Sequence, residues 1–117
     1  MKAIFIDATK RQVSEVEISD TNTLNEWYKI LDCYTVEVAT YINEQNDSIL
    51  VDEEGLLHGL HNDSPFFKYE GAHQPFAGNG LITGVDEDGN DKAPTVTVKD
   101  VKSKITFLTL AEARKQI

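Results

Sequence analysis

Only one of the 117 residues, Cys33, is a cysteine, so no intrachain disulfide can form and a secreted disulfide scaffold is excluded. Long apolar runs are missing too. No window approaches the roughly 18 consecutive apolar residues of a membrane helix. The opening MKAIFIDATKRQV turns polar after six positions, which predicts a cytoplasmic protein that makes no membrane contact. Basic charge is scarce: 11 Lys and Arg face 20 Asp and Glu, a formal net charge of −9. That balance disfavours a nucleic-acid polymer or an anionic membrane as partner, because both require clustered cations to displace counterions. Repeats, low-complexity segments and linkers are also absent, which predicts a single domain over residues 1–117.

What is present suffices for a folded core. The 40% hydrophobic and 26% charged residues match ordinary globular proteins. A chain of this length buries on the order of 65% of its unfolded surface, so neither disulfide nor structural metal is needed. The charge is uneven along the chain. Residues 1–98 carry 6 Lys and Arg against 18 Asp and Glu, a net of −12. Residues 99–117 carry Lys99, Lys102, Lys104, Arg114 and Lys115 against Asp100 and Glu112, a net of +3. An anionic ligand is therefore expected near the carboxyl-terminal end, unless these cations merely decorate a solvated strand and helix.

The hydrophobic pattern predicts an α+β fold, a small β-rich domain with an antiparallel sheet and two short helices. Residues 2–7 and 12–18 read as a hairpin around the polar residues 8–11. Thr23 and Glu26 have capping-box spacing, and Leu24, Trp27, Tyr28 and Leu31 give one apolar helical face. Residues 35–42 and 48–52 read as strands, followed by a tight turn in which Gly55 supplies a positive φ. Residues 56–75 lack a clear period and hold His58, His61 and His73 beside Phe66, Phe67 and Tyr69, so they read as a site-bearing loop. The run from Pro75 to Gly80 reads as a glycine-rich turn entering a buried strand at 81–85. Strands are expected at 95–99 and 104–108, and a final helix from Thr109, whose spacing to Glu112 repeats the capping box.

Catalytic and metal patterns fail on their spacing. Counting from Asp86, glycine falls fourth and the twelfth residue is Thr97, whereas a calcium loop of the EF-hand type needs Gly sixth and Glu twelfth. His58 and His61 could share a helical face with Asp63 or Asp52 completing a metal site, but Gly59 interrupts that face. No local signature pairs Cys33 or a serine with an oriented histidine. Gly78, Gly80 and Gly84 miss the dinucleotide spacing and lead into a strand. The chain thus reads as a binder without catalytic residues or cofactor. Gly78 and Gly80 would let a ligand approach the backbone, Asn79 offers a donor and an acceptor, and Phe76 or Phe67 could stack on a base. A plain turn with a core phenylalanine fits the same residues.

Together the segments KAIFIDATKRQVSEVEI, LVDEEGLLHGLHND and GAHQPFAGNGLITG resemble the phage-encoded Thoeris anti-defence protein 1 family and a related phage family of unknown function. The similarity spans nearly the whole chain. It implies a protein that sequesters cyclic ADP-ribose isomers made by a bacterial TIR-domain enzyme, and in some members cyclic oligonucleotides at a separate site. It also implies a homodimer or higher assembly such as a hexamer, binding without cleavage. The family pocket combines an aromatic residue, an asparagine and arginines. Phe76, Gly78 and Asn79 match the first part, and Arg114 is the one arginine near the carboxyl end, so phosphate contacts fall partly to Lys102 and Lys115. Two other readings compete: an acidic module that binds a basic host protein, and a small hydrolase using His58 or His61.

Overall fold

Lys2–Asp7 (β1) and Gln12–Glu17 (β2) form the expected hairpin, in register from Lys2 opposite Glu17 to Asp7 opposite Gln12. Its turn is closed by the Lys10 amide donating to Asp7 Oδ1 at 3.0 Å, with Arg11 in the left-handed region at φ 55°. The computed structural model describes residues 1–19, 21–57 and 59–115. Val36–Tyr41 (β3), Ser48–Asp52 (β4), Gly80–Val85 (β7) and the short Asp91–Lys92 (β8) complete a large antiparallel sheet, with path β2-β1-β7-β4-β3 and β8 paired to β7. Pro65–Tyr69 (β5), Phe76–Ala77 (β6) and Ile105–Thr109 (β9) form a second sheet in the order β6-β5-β9.

Strand alternation assigns the two faces of the large sheet. Ile4, Ile6, Ile49, Val51 and Ile82 point to one side and pack with Phe67 and Tyr69 of the small sheet. Ala3, Leu50 and Leu81 point to the other, where the helix Thr23–Leu31 (α1) lays Leu31 and Trp27 on them. On the outer face of the small sheet, Phe66 and Leu108 meet Leu110 and Ala113 of the helix Leu110–Arg114 (α3). The layers are therefore helix, sheet, sheet, helix, an α+β architecture of antiparallel sheets and three short helices.

The third helix is Val98–Lys104 (α2), where a strand over 95–99 was expected. The alternating Thr95-Val96-Thr97-Val98 imitates a strand, but Thr97 and Asp100 close a capping box: the Asp100 amide donates to Thr97 Oγ1 at 3.1 Å and the Thr97 amide to Asp100 Oδ2 at 3.0 Å. Asp replaces the usual Glu or Gln of the motif. Thr109 and Glu112 form the same reciprocal pair, as their spacing predicts. Thr23 and Glu26 do not. Asn22 precedes α1 without a side-chain cap, and Glu26 instead accepts the Ser19 amide at 2.6 Å.

The aromatic segment expected as a site-bearing loop is largely core. Phe66, Phe67 and Tyr69 lie on β5 and are buried, Phe67 completely. Both faces of β5 are covered, so its sequence shows no alternation. Residues 55–57 form a 3-10 turn, and Gly55 is not among the positive-φ residues. His61 and His73 are exposed, while His58 lies outside the described residues. Among the described residues no helix is long and apolar enough to cross a membrane.

Candidate functional site

The residues expected to make one pocket are distributed over several places. Gly78 adopts φ +77° between β6 and β7, and its amide donates to the Pro65 carbonyl at 2.9 Å. Asn79 turns inward: its Oδ1 accepts the Ala8 amide at 2.8 Å, tying this turn to the β1–β2 hairpin 71 residues away in sequence. Both line a cleft of about 290 Å³ with Thr9, Asp32, Asp52 and Ser64. Two carboxylates and, among the described residues, no cation line it. Phe76 does not line this cleft but the neighbouring groove that shares Asp52, Gly55 and Ala77 with it; the ring is partly buried, its centroid 5.5 Å from that of Phe67 at an interplanar angle of 57°.

Lys102 lies elsewhere. On the exposed side of α2 it lines a groove of about 380 Å³ together with Arg11, Gln12, Val13, Ser14, Ile105 and Phe107. The groove runs between β2, α2 and β9, and among the described residues no carboxylate lines it. Arg114 ends α3, Lys115 follows as its carboxyl-terminal cap, and both are exposed; Arg114 Nη1 reaches Asn62 Oδ1 at 3.5 Å, a weak contact. Arg11 Nη2 is 3.8 Å from Glu112 Oε1, so the hairpin arginine and α3 are neighbours. With both side chains about half exposed, such a pair contributes roughly 0–1 kcal/mol, and Arg11 can exchange it for a better anion.

The sequence does not bring Arg11 together with Lys102, because the two lie far apart along the chain. Arg11 is one of only two arginines in the chain. It also holds a left-handed turn position at φ 55°, where Gly or Asn is the unstrained choice.

Electrostatics decide which opening suits an anion. At 4 Å two unit charges interact by about 1 kcal/mol in water and about 4 kcal/mol near a protein surface. The cleft at Gly78 and Asn79 is lined by Asp32 and Asp52, which disfavour a phosphate, whereas the groove of Arg11 and Lys102 keeps a net positive charge even with Glu112 3.8 Å from Arg11. The same carboxylates act on Cys33: burial first, then Asp52 and, less strongly, Asp32 push its thiol up, against a bond from the Thr35 backbone. A thiol held protonated is a poor nucleophile. Among the described residues no group of three or more His, Cys, Asp or Glu is placed to hold a metal ion.

The chain belongs to the DUF3846 family, a domain of unknown function, whose family model matches residues 1–106. No curated protein and no solved structure matches it.

Proposed function

We propose that this member of a family of unknown function is a non-catalytic module that binds and sequesters a small anionic ligand of the nucleotide class in the groove of Arg11 and Lys102. The observation that carries this reading is that groove: two cations and no acid among its lining residues, with Glu112 paired to Arg11 at its edge, in a chain of net charge −9. Arg11 offers a planar fork for a phosphate, Lys102 a second point charge, Gln12 and Ser14 polar partners, and the half-buried Phe107 an aromatic surface for a base. A volume near 380 Å³ falls in the range of small-ligand sites.

The finer reading, capture of cyclic ADP-ribose isomers or cyclic oligonucleotides so that a bacterial defence signal never reaches its effector, draws on the resemblance of the three quoted segments. Such a sponge needs tight binding and no turnover. A pocket with stacking and hydrogen-bonding groups but no activated nucleophile is consistent with it. Gly78 and Asn79 then act as structural neighbours, with Asn79 holding the Arg11 hairpin through the Ala8 amide.

A thermal-shift screen against ADP-ribose, its cyclic isomers and cyclic oligonucleotides tests the reading, with recovered ligand checked for cleavage. Ligand at one hundred times its dissociation constant should stabilise the fold by about 2.7 kcal/mol. A shift with intact ligand, lost in Arg11→Ala, supports the proposal. No shift with any nucleotide, or a cleaved ligand, overturns it.

A further inference from the structure

β3 is the last strand of the large sheet, and among the described residues its backbone pairs with β4 alone. Edge strands are usually blunted by lysine, proline or a bulge, because their open amides and carbonyls template another strand. β3 contains neither lysine nor proline. Its one irregularity falls between Val38 and Thr40, leaving Val36, Glu37 and Val38 in regular register.

The register also states what each face of that edge presents. Glu37 stands opposite Val51, on the side of the small sheet, and is exposed. Val38 stands opposite Leu50, on the α1 side, and is 45% exposed; Tyr41 on the same side is 63% exposed and Tyr34, just before the strand, 92%. Beside Glu37 lies a small groove walled by Leu56, Pro75 and Phe76, with Asp52 and Glu53 also lining it. Among its described lining residues there is no basic side chain. Its volume of about 80 Å³ is too small for a metabolite but accommodates the end of one side chain.

We infer that the β3 edge accepts an extended, basic segment of a partner protein as an added strand. Main-chain hydrogen bonds along β3 supply affinity, and alternation supplies specificity: one set of partner side chains, Lys or Arg, meets Glu37 and the acidic groove, and the other, apolar, covers Val38 and Tyr41. The net of −12 over residues 1–98 draws such a segment in, which makes the association salt-dependent. This surface is separate from the groove of Arg11 and Lys102, so either proposal can fail alone.

The test uses the full chain and a peptide of about six residues alternating Lys and Val, with a Glu and Val counterpart as control. The lysine peptide should bind, slow hydrogen exchange at β3 amides, and weaken in about 1 M salt, where charges are screened within about 3 Å. Glu37→Lys should weaken it by roughly tenfold without changing the melting temperature. Equal binding of the two peptides, no binding by the lysine peptide, unchanged affinity for Glu37→Lys, or protection outside β3 each overturns the inference. A peptide-free dimer with β3 protected also overturns it, assigning the edge to a second copy of the chain.

Discussion

Asp47 and Thr95, 48 residues apart in sequence, are joined twice: Asp47 Oδ2 accepts the Thr95 amide at 2.8 Å and the Thr95 hydroxyl at 2.6 Å. The same oxygen accepts from Asn43 Nδ2 at 2.9 Å and from the Val96 amide at 3.2 Å, and the residue is fully buried. One carboxylate thus anchors the β3–β4 turn to the segment that leads into α2. Because α2 carries Lys102, this anchor also positions one wall of the basic groove. Asp47→Ala strips four donors of their charged partner and should cost about 3 kcal/mol or more of stability. Urea denaturation checks this; a loss below about 1 kcal/mol would mean that the segment holds its place without Asp47.

Gly80 is required by packing rather than by its backbone angles. A Cβ there would lie 2.7 Å from Phe67 Cζ and 3.3 Å from Ile49 Cγ2. Phe67 is completely buried between the sheets and has no room to retreat. Gly80→Ala should destabilise by about 1–3 kcal/mol, the usual range for overpacking. The midpoint of thermal unfolding reads it out.

Phe76 packs against Phe67, so its removal reaches the core. Phe76→Ala should cost about 2 kcal/mol, less than a fully buried phenylalanine because the residue is only partly buried. Nucleotide binding in the Arg11 groove should persist when measured below the new melting temperature. A binding defect without a loss of stability would return Phe76 to the ligand site.

Acid should weaken both carboxyl-terminal helices. Backbone and side-chain hydrogen bonds from Thr97 hold Asp100 below the usual carboxylate range, and those from Thr109 do the same for Glu112. A carboxylate depressed in the folded state stabilises the fold fully above its unfolded pKa, about 3.9 for Asp and 4.3 for Glu, and loses that contribution as pH falls through the lower folded value. Stability should therefore decline below about pH 4, and Asp100→Asn together with Glu112→Gln should flatten part of the decline. Denaturant midpoints across acid pH measure both.

Arg11 and Arg114 should differ in their effect on ligand. Arg11→Ala should weaken nucleotide binding by about 1.5–3 kcal/mol, the scale of a charge-assisted hydrogen bond, while Arg114→Ala should change it little. Isothermal titration calorimetry separates the two. The reverse order would move the site from the β2–α2 groove to α3.

The sequence by itself determined those features whose cause is local. The β1–β2 hairpin follows from two short β-rich runs around a polar turn, and the start of α3 from the reciprocal Thr109–Glu112 bonds, which need only a spacing of three. The glycine-rich turn into β7 was legible for the same reason. Tertiary structure decided whatever depends on what lies on the other side of a residue. Phe66 and Phe67 look alike in the chain, yet one faces α3 and the other the large sheet, so β5 has no periodicity to read. Thr95 to Val98 alternates like a strand, but Asp47 captures Thr95 and Val96 and the Thr97–Asp100 box turns the chain into a helix. Asn79 was legible as a polar group at a turn but not as the partner of Ala8. Arg11 comes to line a groove with Lys102 only when the hairpin is folded beside α2 and α3, because electrostatic attraction depends on distance in space and not on separation along the chain.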